Sequence, residues 1–490
     1  MLSRRLISTG LRATRTRSVP CLHARRALSL TARQKKEPAA ATTSNSDPFY
    51  TVRPTHFWVE KILERENQKP VVQKQHPPKE RKLVQKTMSD SYMEMYLPFK
   101  SSPPLLEEYI FVDGRIRTGK LLEDLDALAG VIAYKHIDNG DPEAPPVTVV
   151  TACVDRLDLL LPKAVEDYKL LGHVTYVGTS SMEVFIKAET IPSDSEHQER
   201  TEPISSKEPA EIGNLGPNTV LATRFTMVAI DSVTGKSVKI NPLKTTSPAE
   251  ERLFEFAKAN KARKKRASET ALNRRPPTHE ERLAIHDIYL QYSQYKGGND
   301  DSFTTGISSD EKEPLPSDLV WMEDTRIESN FLMQPQDRNI HNNIFGGYLM
   351  RRAYELAYAD AIMYLQSRSA TLLAMDEVIF RKPVHVGTLL NLKSEVIYAE
   401  GYPHRSFQVR VVAEVVDIEK SRRETTNVFY FTMTADNDKT QPRRILPKTY
   451  AETMLWLEGK RRRLQGVTSR HLLLKEMGSS APADEDEHVH

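Results

Sequence analysis

The sequence predicts an α+β fold built twice along one chain, and three observations predict it. Each half contains several strand-like runs but one long, half-apolar helix, the recipe for an antiparallel sheet packed on a helix. Short motifs recur in the same order in both halves, at positions such as 154 and 375. Each set is preceded by a helix that opens on glycine, "RIRTGKLLEDLDALAGVIA" in the first half and "NIFGGYLMRRAYELAYADA" in the second.

The chain has 490 residues, more than one hydrophobic core absorbs, which agrees with two domains. Residues 1–36 carry ten Arg and Lys, many Ser and Thr and no acid, with Leu2, Leu6 and Leu11 sharing part of a helical face. That composition reads as a mitochondrial transit peptide. Without those ten, 59 of the 69 basic residues face 66 acidic ones, a net charge of −7, so the mature chain has no general attraction to nucleic acid. No apolar run reaches the roughly 18–20 residues of a membrane span. Cys21 and Cys153 are too few for a disulfide framework or a cysteine-based zinc site.

Residues 37–90 are polar and Pro- and Lys-rich and read as an extension. Regular structure is expected from "SYMEMYLPF" (Ser91–Phe99), which alternates like a strand. "VDRLDLLLP" (Val154–Pro162) matches "MDEVIFRKP" (Met375–Pro383), with Asp second and Pro last. "GHVTYVG" and "SMEVFI" match "SEVIYAEG" and "SFQVRV", and "RFTMVA" matches "YFTMTA". The domains are therefore placed at 91–245 and 319–464, joined by a helical and acidic linker, 246–318. Within that linker, Thr278 and Glu281 form the spacing of a capping box. The basic run Arg263–Arg266 reads as a solvated helix end. Ser193–Asn218 and Lys296–Asp318 read as polar loops, and 465–490 as an acidic, disordered tail.

"NIFGG", "FRKPVHVG" (Phe380–Gly387) and "VWMEDTRI", on this duplicated layout, resemble the acyl-CoA thioesterases with two tandem hotdog domains, of the mitochondrial acyl-CoA thioesterase 9 type. The resemblance spans Ser91 to Leu464. It implies two hotdog domains, each an antiparallel sheet wrapped on a central helix, paired as an intrachain pseudo-dimer. It also implies hydrolysis of acyl-CoA in the mitochondrial matrix, without a metal or other cofactor, and a homo-oligomer such as a trimer. A site between units would take a helix N-terminus from one and an acid from the other. Such an N-terminus suits a developing oxyanion, and glycine there admits the acyl group to the backbone.

Laying the two helices on each other at Gly119 and Gly347 sharpens this expectation. The second unit keeps the amide, Asn343, but has Tyr354 at the acid position; the first keeps the acid, Asp126, but has Arg115 at the amide position. The departures are complementary, so one composite site per chain is expected. In it Gly347 N–H would hold the thioester oxygen beside Gly346, Asn343 would orient water or carbonyl, and Asp126 would be base or nucleophile. Arg381 and Lys382 would lie near bound coenzyme A.

Periodicity places Asp124 and Asp126 on opposite edges of the buried helix face and does not choose between them; the resemblance does. Asn343 also suits a helix cap. Glu355, one residue past the acid position, reads as part of a polar network, and Asp155 and Asp376 as strand or turn residues. His341, His385 and His404 lack metal-ligand spacing. "TGKS" (Thr234–Ser237) lacks the first glycine of a phosphate loop, since Ile230 stands there, and no Gly-x-Ser-x-Gly elbow is present. A non-catalytic acyl-CoA-binding protein and a hotdog hydratase or dehydratase are the alternative readings.

Overall fold

The computed structural model describes residues 81–476, apart from 142–144, 163, 192–214, 233, 273, 298–311, 340–342, 420–421, 437–438 and the side chains of 265, 267, 268 and 270. Residues 1–36, most of the 37–90 stretch, most of both polar loops, His341 and the acidic end of the chain lie outside the described residues.

The first half runs β1 (Lys86–Thr87), β2 (Met93–Leu97), α1 (Pro103–Tyr109), α2 (Thr118–Ile137), β3 (Val147–Val154), β4 (Leu157–Leu159), β5 (Asp167–Val177), β6 (Ser181–Ile191), β7 (Thr219–Asp231) and β8 (Leu243–Lys244). Helices α3 (Pro248–Thr270) and α4 (His279–Ser293) follow. The second half runs β9 (Leu319–Trp321), β10 (Ile327–Leu332), α5 (Gly346–Leu365), β11 (Ala370–Met375), β12 (Val378–Ile379), β13 (Leu389–Ala399), β14 (Ser406–Asp417), β15 (Arg422–Ala435), β16 (Arg444–Leu446) and α6 (Tyr450–Glu476).

Most strands form one twelve-stranded sheet in the order β10-β13-β14-β15-β11-β4-β7-β6-β5-β2, with β3 paired to β7 and β12. The outer runs mirror each other, and the halves meet where β4 pairs β11 and β3 pairs β12. Regularity extends to defects. The β5–β6 ladder slips between Val174 and Tyr176, and β13–β14 slips at the matching place, between Val396 and Tyr398. Side chains follow the pleat: in β7 buried and half-buried residues alternate along "VLATRFTMVA" because one face packs on a helix. The main apolar cluster runs through both halves, with Leu121, Leu125, Leu128 and Ile132 of α2 and Met350, Ala353 and Ala357 of α5 on the helix side, and two small clusters lie beside it.

Two expectations need correcting. Ordered structure starts before Ser91, because β1 pairs with β8. Helix α6 continues to Glu476, through the first residues assigned to a tail. Tertiary contacts hold those turns: Gly466 lies against the Arg156 guanidinium, and Arg470 donates to the Leu159 carbonyl at 3.3 Å. The Thr278–Glu281 capping box is present at the start of α4. Among the described residues no helix is long and apolar enough to cross a membrane.

Candidate active site

Helices α2 and α5 pack directly on each other, and glycine sets how closely. A Cβ on Gly347 would stand 2.8 Å from Glu123 Cα and 3.0 Å from Asp126 Cβ, inside any real contact distance. With no side chain there, Gly347 N–H donates to Asp126 Oδ2 at 2.6 Å. The other oxygen, Oδ1, accepts from Thr151 Oγ1 of β3 at 2.7 Å. Asp126 is only 5% exposed, and its carboxyl is pushed up to about 6. Burial dominates, the Thr151 and Gly347 hydrogen bonds pull the other way, and nearby Glu123 adds a small upward push. The result is a carboxylate that is ionised above about pH 6 at the first turn of a helix.

The neighbouring residues surround this carboxylate. Gly346 is half-buried, and a Cβ on it would meet Asp126 Oδ2 and the Phe380 ring at 3.2 Å. Phe380 ends the β12 segment, which is tied to β3 by Phe380 N–H donating to the Ala152 carbonyl at 2.9 Å. Arg381 and Lys382 follow Phe380 in the chain and are both exposed, with Lys382 paired to Glu424. Asn343 bridges His385 through the backbone, while its own N–H is held by Asn339 Oδ1 at 3.2 Å. Its side-chain amide bonds no described residue, so the loop leading into α5 carries two amides, Asn343 and Asn339.

Asp124 and Asp126, which periodicity left equal, are separated by their partners: Asp124 is fully buried and accepts from the Tyr109 hydroxyl, away from α5. Glu123 pairs with Arg351 across the helix contact at 2.9 Å. Glu355 pairs with Arg117, Arg351 and Arg352, the polar network expected of it.

No family model matches the chain. Among known proteins, it is 38% identical over 383 residues to the mitochondrial acyl-coenzyme A thioesterase 9 of Bos taurus, a match covering 77% of this chain and 78% of that one. The Homo sapiens protein of the same name matches equally, and the mitochondrial acyl-coenzyme A thioesterase 4 of Humulus lupulus is 34% identical over 78% of this chain and 68% of its own. The chain belongs to the acyl-coenzyme A thioesterase 9 family. Solved structures similar to parts of this family member include an acyl-CoA hydrolase from Staphylococcus aureus, 24% identical over 32% of this chain and 95% of that one, with a TM-score of 0.29. A putative oleoyl thioesterase from Lactobacillus plantarum covers 71% of this chain and 96% of its own at 10% identity and a TM-score of 0.37.

In this thioesterase-family chain the opposite diagonal of the helix pair has the same geometry and different chemistry. A Cβ on Gly119 of α2 would stand 3.2 Å from Arg351 Cγ and 3.3 Å from Tyr354 Cδ1, as one on Gly347 would meet Glu123 and Asp126. Tyr354 thus stands where Asp126 stands, near Thr118 at the start of α2. Burial pushes its phenol well above the usual range, so it stays neutral. Arg115 is consumed by Asp113 at 2.5 Å and Asp436 at 3.0 Å. A cavity of about 280 Å³ remains beside these groups, with no carboxylate at the helix start.

Arg263 and Arg266 are exposed, as expected of a solvated run, but Lys264 between them is not free in solvent. Its ammonium reaches the sheet junction, pairing with Asp155 and, at 3.5 Å, Glu377, and lying 3.7 Å from Cys153 Sγ. Cys153, Asp155 and Glu377 are the one group of metal-type donors that lie close together among the described residues, and the lysine charge answers them. Burial pushes the Cys153 thiol up, so it is not a nucleophile. Asp155 and Asp376 serve structure, Asp376 by holding Arg156 and Arg462. Thr151 is the site residue that sequence reasoning missed. Its only signal is position: it belongs to the first strand after α2, and one strand threonine looks like any other until the helix is laid beside it.

Proposed function

We propose that the protein hydrolyses acyl-CoA to free fatty acid and coenzyme A at one composite site, made by Asp126 of a first hotdog domain (91–245) and by Asn343, Gly346 and Gly347 of a second (319–464). The two domains, joined by the 246–318 linker, form an intrachain pseudo-dimer; the mirrored strand order and the helix contact support this arrangement. The observation that carries the catalytic reading is the Asp126 carboxylate held on Gly347 N–H, at a helix start that only glycine allows.

The chemistry follows from that contact. The thioester carbonyl enters over Gly346, with its oxygen toward the first turn of α5 and the water oriented by the loop amide of Asn343. Asp126 takes the proton as water oxygen attacks the carbonyl carbon. A protonated carboxyl holds an amide N–H less strongly than a carboxylate does, so Gly347 N–H passes to the growing oxyanion. Collapse expels the thiolate, and Asp126 returns its proton to sulfur. In the covalent variant the same carboxylate attacks the carbonyl carbon, and the C–S bond breaks to release the coenzyme A thiolate. Water opens the resulting anhydride to the free acid and the regenerated carboxylate, its proton going to the thiolate. Arg381 supplies positive charge for the coenzyme A phosphates, and Lys382 joins it by exchanging its exposed Glu424 partner for a phosphate. Thr151 keeps the carboxylate aimed and partly offsets the cost of its burial.

Relatives named as mitochondrial and the basic first 36 residues support import into the mitochondrial matrix. A homo-oligomer, such as a trimer of these chains, belongs to the same reading and is checked by light scattering.

The test is coenzyme A release, followed with a thiol reagent, across an acyl-CoA chain-length series. Asp126→Asn and Asn343→Ala are expected to lose activity while Glu355→Gln keeps it; Asn339→Ala shows which loop amide faces the substrate. Binding of acyl-CoA by the wild type without any thiol release would replace the enzyme with a non-catalytic binding protein.

A further inference from the structure

A second cleft, of about 450 Å³, opens between α4, α6, the β13–β14 turn and β16. Its lining divides by chemistry. Ile288, Leu446 and Trp456 provide an apolar wall, and Arg444 and Lys460 provide charge. Glu400 also lines the cleft, but its carboxylate is taken by Arg463 at 3.0 Å, His404 at 3.2 Å and the Tyr398 hydroxyl at 2.5 Å. Arg444 donates to the Gln291 amide oxygen at 3.3 Å, and the Lys460 ammonium lies 5.6 Å from the centre of the Trp456 ring. Among the described residues neither cation has a carboxylate partner. Two uncompensated charges thus sit at the edge of an apolar hollow. The one amide in the lining, Gln291, is committed to Arg444, which leaves little to read the edge of a nucleobase.

We propose that this cleft binds an amphiphilic carboxylate, its headgroup on Arg444 and Lys460 and its aliphatic body along Ile288, Leu446 and Trp456. The ligand class is that of the acid released by the proposed hydrolysis, and to that extent the inference rests on it. The cleft is separate from the reaction. Strand β13 runs eleven residues from Leu389, next to the His385–Thr388 turn beside Asn343, to Ala399 in the cleft wall. At the rise of an antiparallel strand, that is roughly 30 Å. An acid held there does not occupy the place of the thioester.

The experiment is titration of the full chain with laurate, by calorimetry and by tryptophan fluorescence, with ADP in parallel. Wild type, Asp126→Asn, the double variant Arg444→Gln/Lys460→Gln, and Lys460→Glu are compared. Saturable laurate binding that survives Asp126→Asn and weakens at least about tenfold in both cleft variants, the scale of a lost charge-assisted contact, is the expected result. Coenzyme A release in the absence of laurate stays at the wild-type rate in the double variant. Laurate binding that is lost in Asp126→Asn and kept in the cleft variants puts the acid in the reaction site and overturns the proposal; so does binding of ADP but not laurate. If laurate binds the cleft but no acyl-CoA is ever hydrolysed, the cleft stands and the proposed reaction falls.

Discussion

The two ends of the α2–α5 contact share a backbone and differ in what they carry. At one end Gly347 meets Glu123 and Asp126; at the other Gly119 meets Arg351 and Tyr354. Both glycines sit near a helix start, both face an acid-or-tyrosine position, and each helix contributes one member of the Glu123–Arg351 pair that ties the ends together. Yet one end has a buried carboxylate on an amide N–H, and the other a neutral phenol near Thr118 with its arginine neutralised by two aspartates. The difference teaches that one backbone arrangement can carry two chemistries, a carboxylate at one end and a phenol at the other, and in the proposed function only the first accepts a proton from water.

The sharpest way to break this comparison is to exchange chemistry without shape. Asp126→Asn should lower coenzyme A release by about a thousandfold or more, the scale of losing a general base or nucleophile, whereas Tyr354→Phe should leave it within about twofold. Equal losses in both would mean that both diagonals work.

Next in size is the packing asymmetry. Alanine at 347 drives a Cβ into Glu123 backbone, which cannot step aside, so thermal denaturation should show about 1–3 kcal/mol of destabilisation. Alanine at 119 meets side chains only at 3.2–3.3 Å, Arg351 Cγ and the Tyr354 ring, which need shift by just a few tenths of an ångström, and should cost less than about 1 kcal/mol. Similar values at the two positions would refute the reading that α5 approaches α2 more tightly at the working end.

The third measurement uses pH. The rate should rise as Asp126 ionises through about pH 6. Thr151→Val removes a hydrogen bond that favours the carboxylate, so the midpoint of the profile should move up, with a moderate fall in the plateau. A midpoint unchanged or lowered would show that Thr151 does not act on Asp126. Stability has the opposite pH dependence. The folded protein raises this carboxyl above its unfolded value, so folding is favoured at low pH and this contribution is lost as pH climbs from about 4 to 6. Asp126→Asn should therefore be more stable than wild type at pH 8 and gain less at pH 4, as read from urea midpoints.

The smallest expected effect on activity lies outside the helix pair. Lys264→Met leaves Asp155 and Glu377 without their ammonium and should destabilise the chain by about 1–3 kcal/mol, with coenzyme A release little changed below the melting range. A large loss of activity in the folded variant would make the sheet junction part of the site.

What could be read ahead of the structure follows the range of the forces involved. Strand alternation, the two Gly-led helices, the capping box of α4 and the repeated motifs are local patterns. They depend on the pleat, on the helical turn and on backbone hydrogen bonding within a few residues, so the sequence by itself determined the elements and their duplicated order. It also suggested pairing Asn343 with Asp126, since that needs only an alignment of one half on the other. Three things only the tertiary structure decided. Asp124 and Asp126 are equivalent by helical angle, and it took Tyr109 on one side and Thr151 with Gly347 on the other to make one structural and one available for chemistry. Lys264 looked like any solvated lysine until the fold set its helix over Cys153, Asp155 and Glu377. The last turns of α6 looked like a tail because what holds them, Arg156 and the Leu159 carbonyl, lies some three hundred positions away in the chain. The physical reason is common to all three. Burial and pairing of a charge depend on partners that are remote in sequence, and a pattern confined to neighbouring residues carries no trace of them.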